Sequence, residues 1–248
     1  MFRFSIEKWE AWAPGLYDKN SWREWALSPY CPYPADTGEP PSLRFLSPMQ
    51  RRRLSPLARM VFGCAWPLVE NLDPMPMVFA SRHGETTRSF QLLHDLATET
   101  PLSPTSFGLS VHNAIVGQWS IIRKETAETI ALAGDEDLLE HAIQEACLLM
   151  QAGAPHVLVV VAEERPPRDY TPWIDDVPFP YVVALRLSAG TDWQLSLSPA
   201  AGLPAQSVWA HPLSMLSQLL HGAVSWTHPG QRRDWHWYCH SPEPLPAS

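Results

Sequence analysis

Three acidic residues in a row, Asp135-Glu136-Asp137, stand at the head of an apolar helical pattern. Carboxylates so grouped are oxygen donors for a hard cation, yet the helix dipole alone favours negative charge in a first turn. His83-Gly-Glu85 offers an imidazole and a carboxylate, the parts of a general-base pair, but without a nucleophile beside them. His236 and His240 stand four apart, which on a helix is the spacing of metal-ligand pairs. Their surroundings, Trp235-His-Trp-Tyr-Cys-His240, are aromatic and free of carboxylates, which fits a packed tail better. The cysteines at 31, 64, 147 and 239 form no CxxC pair. Cys147 falls on the apolar stripe of a helix, where a thiol serves as a small core residue. No metal site, no cofactor and no assembled nucleophile–base pair is expected.

The elements that position these residues follow from periodicity. Residues 2–9 read as a strand, and residues 12–41, rich in Trp, Pro and Tyr, as a long packed loop. A helix is expected from Ser47, with Pro48 in its first turn and Leu54, Leu57, Ala58, Val61, Phe62 and Ala65 repeating at three and four. Residues 77–80 are a short strand, 84–96 an amphipathic helix, 101–107 a Pro-punctuated loop, and 111–122 an apolar helix. The clearest unit is strand 129–133, helix 135–151 and the continuous apolar strand 156–161, a β-α-β unit whose strands should be parallel. Residues 181–187 and 193–197 read as two edge strands joined by a hairpin turn at 188–191. A helix over 212–224 and an aromatic, Pro-rich tail complete the chain. The division expected is a main domain over 1–203 and a C-terminal helix and tail over 204–248, packed on the domain or on a partner.

At 248 residues the chain can bury a large core. The 26 prolines and 12 tryptophans imply long connections and bulky packing anchors. A net charge of −8 excludes broad phosphate neutralisation, hence a general nucleic-acid binder. One basic run stands out, Arg51-Arg52-Arg53. No stretch of about 18 apolar residues occurs, and a cytoplasmic location is expected.

In order along the chain, several segments resemble the N-terminal half of the β-ketoacyl synthases. PTSFGLSVHNAIVG (residues 104–117) resembles the family's loop and helix with its Asn-x-x-x-Gly element, here Asn113 and Gly117. TIALA (129–133) resembles the strand leading to the nucleophile, and HVLVVVAEE (156–164) the next strand. ASRHGE (80–85) and MQRRRLS (49–55) match the strand-to-turn segment and the early basic helix. The likeness covers roughly residues 45–190 and is nearest in character to the short, chain-length-factor-like subunits of aryl polyene pathways.

That resemblance implies an α/β, thiolase-like half-fold: a mixed, mostly parallel sheet covered by helices, with an antiparallel edge hairpin. It also implies a non-catalytic role. Counted from Asn113 and Gly117, the family's nucleophilic Cys falls at Glu136. A helix N-terminus activates a thiolate, but a carboxylate is a poor acyl acceptor in thioester exchange. The histidine-bearing second half of the family is also expected to be missing. The implied partners are a catalytic ketosynthase, in a heterodimer, and an acyl carrier protein docking at Arg51, Arg52 and Arg53. Residues expected to line the acyl tunnel or the interface are His83, Thr87, Phe90, Phe107, Val111, Asn113 and Gly117. The rival readings are a decarboxylase or hydrolase using Asp135–Asp137, and a homodimeric acyl-binding adaptor.

Overall fold

The computed structural model describes every residue except 33–39, 175, 203–208 and 242–248. Its elements are β1 (Phe2–Trp12), α1 (Lys19–Leu27), α2 (Pro48–Arg53), α3 (Pro56–Val69), β2 (Met77–Ala80), α4 (Thr86–Ala97), α5 (Pro104–Gly108), α6 (Ala114–Arg123), β3 (Thr129–Leu132), α7 (Leu138–Gln151), β4 (His156–Glu163), β5 (Tyr181–Pro199), α8 (His211–Leu220), β6 (Ser225–His228) and β7 (Arg233–Cys239). The strands form one sheet in the order β3-β2-β4-β5-β7-β6, with β1 also paired to β5. β3, β2 and β4 are parallel, and the ladders of β5 with β4, β1 and β7 are antiparallel, as is that of β6 with β7.

Strand alternation divides the core into two layers. Val157, Val159 and Val161 of β4 face α7, α8 and α1, in a core with Trp22, Trp25, Leu139, Ile143, Leu213 and Leu216. Leu158, Val160 and Ala162 face α3 and α6, with Leu57, Val61, Phe62, Ile115 and Trp119. Both faces of β4 are thus covered, which is why its sequence is unbroken apolar rather than alternating. The expected mixed sheet with a parallel core and covering helices is present.

Four local expectations change. The 12–41 segment contains a helix, α1, started by a capping box between Asp18 and Ser21. Trp22 and Trp25 are buried from it, each giving its indole N–H to a backbone carbonyl (Ala11 at 3.1 Å, Tyr30 at 2.8 Å). The helix expected from Ser47 is two, α2 and α3, because Pro56 drives Ser55 out of the helical region; Ser47 and Ser55 are the N-caps, accepting the N–H groups of Gln50 and Ala58, each with a Pro as the first helical residue. α7 starts at Leu138, leaving Asp135 and Glu136 in the turn before it.

The hairpin at 188–191 is absent. β5 runs unbroken from Tyr181 to Pro199, and β1 pairs with both its halves. Register steps from Ser5↔Ser188 to Phe4↔Trp193, so residues 189–192 form an insertion within the ladder. Ser5 Oγ donates to Asp192 at 2.5 Å across it, and a Cβ on Gly190 would lie 1.8 Å from Ser5 Oγ. Only glycine fits there. The edge hairpin is instead β6–β7, built from the aromatic tail. His236 therefore lies on a strand, between Ser198 Oγ (2.8 Å) and Thr227 Oγ1 (3.0 Å), and shares no helix face with His240. The 203/204 division falls outside the described residues.

Candidate functional site

The ends of β2, β3 and β4 converge on the turn that carries Asp135, Glu136 and Asp137. Each carboxylate there is engaged by a different group. Asp135 pairs with Arg82 Nη1 at 2.9 Å. Glu136 accepts the backbone N–H of Gln231 at 2.6 Å, from the loop between β6 and β7. Asp137 accepts Trp235 Nε1–H at 3.1 Å and lies 3.3 Å from His141 and 3.5 Å from Arg233. Glu136 and Asp137 thus fasten the C-terminal hairpin onto the start of α7, Asp135 ties the turn to the end of β2, and the three do not gather into one cation site.

A polar lattice lies beside this turn. Arg82 Nη1 also reaches Asp176 at 3.2 Å, and Asp176 holds His83 Nε2 at 3.0 Å. Burial pushes the Asp176 carboxyl up, but its bonds to His83 and Arg82 outweigh this and leave it below the usual range. Glu163, buried at the end of β4, accepts Ser81 Oγ–H (3.1 Å) and the backbone N–H groups of Arg82 and His83. Burial still raises its pKa. Gly84 closes the turn at φ +52°, and a Cβ on it would meet His112 Nδ1 at 2.7 Å. His112 Nε2–H donates to the Leu132 carbonyl at 2.7 Å, tying the loop before α6 to the end of β3.

A groove of about 480 Å³ lies between α4, the start of α3 and residues 164–167, lined by Glu85, Thr87, Arg88, Phe90, Glu164 and Arg165 among others. Two expected site residues, Thr87 and Phe90, meet there; Phe90 stacks edge-on against Tyr170 at 5.5 Å. Burial, helped by the like charge of Glu85, pushes the Glu164 carboxyl up to about 7. His83 is not part of the groove and stays in its pair with Asp176. Phe107 and Val111 are 66% and 49% exposed, at the molecular surface. Asn113 stands at the N-cap of α6 with no side-chain cap bond, and Gly117 has open space where a Cβ would sit. Of the basic run, Arg51 turns inward toward the Leu43 carbonyl (3.5 Å), while Arg52 and Arg53 are exposed.

Against known proteins, the β-ketoacyl synthase N-terminal domain model matches residues 22–238. The chain belongs to that family. Among solved structures, a chain of the complex of the ketosynthase ApeO with its chain length factor ApeC from Xenorhabdus doucetiae is 29% identical. The likeness covers 96% of this chain and 100% of that one, with a TM-score of 0.85. The ishigamide ketosynthase/chain length factor is 15% identical over 80% of this chain and 68% of that one, at a TM-score of 0.59, a likeness of fold. No curated protein matches. Among the described residues no helix is long and apolar enough to cross a membrane.

One constellation went unread in the sequence. Glu140, fully buried in the first turn of α7, accepts His211 Nδ1 at 2.9 Å, His228 Nδ1 at 2.5 Å and Trp237 Nε1–H at 3.2 Å. Its signal was an acid on the apolar stripe, three residues before Ile143 and seven before Cys147.

Proposed function

We propose that this chain is a non-catalytic, chain-length-factor-type subunit that pairs with a catalytic β-ketoacyl synthase and shapes the cavity in which an acyl or polyene chain grows. The pathway class is aryl polyene or a related lipid. What carries this reading is the count from Asn113 and Gly117 that sets Glu136 where the family has its nucleophile, with that carboxylate turned to the Gln231 N–H. A carboxylate so held has neither the nucleophilicity nor the leaving-group chemistry for thioester exchange. The full-length likeness to a chain of a ketosynthase–chain length factor complex supports the same reading.

Surface features support assembly. β3 is an edge strand with all four residues only partly buried, and an open edge is a template for strand addition. Around it Phe107, Val111 and Ile121 are exposed, as are Leu93 and Leu96 on α4. Large apolar side chains left in water on neighbouring elements mark interaction surfaces. The hydrolase reading has little support, since Asp135, Glu136 and Asp137 are each tied to a separate partner.

The test is co-expression with the ketosynthase, mass determination of the eluted complex, and a chain-extension assay with wild type and Glu136→Ala. A one-to-one complex whose condensing activity survives Glu136→Ala is expected. A chain that remains single and loses an activity of its own with Glu136→Ala would replace this reading by the hydrolase, and a homodimer by the adaptor.

The exposed guanidinium groups of Arg52 and Arg53 suit an acidic carrier protein. The double variant Arg52→Glu/Arg53→Glu is expected to raise the KM of the complex for acyl carrier protein about tenfold, and the gap should narrow at high salt. An unchanged KM would remove the docking role.

A further inference from the structure

Glu140, His211 and His228 come from three elements, α7, α8 and β6, and their ligand-type atoms lie within 4.8 Å of one another. The contacts are those of shared protons. Ligands about 2.0 Å from a tetrahedral ion lie roughly 3.3 Å apart, whereas each Glu140 oxygen has its own imidazole nitrogen at 2.5 or 2.9 Å. Trp237 Nε1–H fills a further lone pair. The two imidazoles stack at 4.4 Å and 28°, so two positive rings would repel. His228 Nε2 is buried with no hydrogen-bond partner, so a hydrogen placed on it would have no acceptor.

We propose that α8 and the β6–β7 hairpin form a proton-operated latch, in which Glu140 accepts an N–H from both His211 and His228, the two imidazoles together carry at most one positive charge, and protonation of the second imidazole releases the hairpin. What the latch holds is the cap over the α7 turn: the Gln231 N–H on Glu136, and Trp235 and Arg233 on Asp137. The groups facing the cluster fix the direction of the effect. Glu136 and Asp137 favour a proton on His211, and His141 and Arg233 partly neutralise Asp137. Among the described residues no other titratable side chain bonds directly to the three.

Burial disfavours charge on both imidazoles. On His211 the Glu140 carboxylate outweighs burial and raises the pKa; on His228 burial prevails and lowers it. Burial likewise opposes charge on Glu140, but the two histidines keep it well below the carboxylate range, and it stays ionised. The raised His211 value contributes stability that is present below about 6.5 and is lost as pH rises through its folded pKa. The lowered His228 value contributes stability that is present above about 6.5 and is lost as pH falls toward its folded pKa. The latch is therefore tightest near pH 6.5; it opens on acidification through His228 and weakens as pH climbs toward the raised His211 value.

Hydrogen exchange on the full chain tests this, with protection factors corrected for the intrinsic pH dependence of exchange. Between pH 6.5 and pH 5.0, where the His211 contribution is constant, peptides covering 225–239 and 136–141 are expected to lose at least threefold in protection, while the β1–β5 ladder keeps its own. His228→Gln should give equal hairpin protection at the two pH values. Unchanged wild-type protection, or an equal loss in the β1–β5 ladder, would overturn the latch. The wild-type comparison decides even if His228→Gln does not fold.

Discussion

Replacing Ala131 by proline is expected to abolish the complex with a ketosynthase while the isolated chain still folds. In the parallel ladder, Met77 N–H bonds the Glu128 carbonyl and Ser81 N–H bonds the Leu132 carbonyl. Even-numbered residues of the segment therefore turn toward β2, and Thr129 and Ala131 turn their N–H and C=O outward. Proline at 131 removes a donor that the chain itself does not use, and proline is tolerated at an edge on that condition. A partner strand would lose that hydrogen bond and meet the ring. A buried group left unpaired costs about 1–3 kcal/mol, and each 1.4 kcal/mol is tenfold in Kd. With the steric clash added, a loss of at least about 100-fold is expected. Circular dichroism of the variant should match wild type while co-purification fails. A complex that forms undiminished would place the interface away from β3.

The parts of the fold that were legible in the sequence are those whose reasons are local. Residues 156–161 announce a strand covered on both faces, and Leu138, Leu139, Ala142, Ile143 and Ala146 announce the helix before it. Where the reading failed, the deciding partner was distant. Gly190 reads as a turn, but the strand continues because Ser5 bonds Asp192 from 187 positions away. α1 was hidden by its aromatic and proline-rich surroundings, although its Asp18–Ser21 cap was in view.

Of the residues expected to line a tunnel, the structure brings only some together, for a related reason. Thr87 and Phe90 share one helix and so stay together in the groove. His83 is drawn off by Asp176, 93 positions away. Glu140 looked like an ordinary first-turn acid because His211, Trp237 and His228 lie 71, 97 and 88 positions distant. Helix periodicity says that such an acid is buried, but only the assembled sheet says what neutralises it.

Glu140→Ala is expected to be among the most damaging single substitutions, costing about 3–5 kcal/mol, the range for removing one partner of a buried ion pair. The loss has three parts. His211 keeps no counter-charge, so the proton that Glu140 holds on it must be given up. The N–H groups of Trp237 and both imidazoles lose an acceptor inside a core sealed by Leu139, Ile143, Leu213 and Trp235. A cavity replaces the carboxyethyl group. Glu140→Gln keeps the volume and one acceptor oxygen, so it should cost less, although its amide N–H₂ then faces an imidazole. The order wild type, Gln, Ala in urea midpoints at pH 7.5 is the expected result. Because the same carboxylate joins α7 to α8 and β7, the Ala variant should expose the buried indoles of Trp235 and Trp237 together, as one red-shifted fluorescence transition. Equal midpoints for all three proteins would show that the histidines find other acceptors and that Glu140 does not hold the C-terminal elements in place.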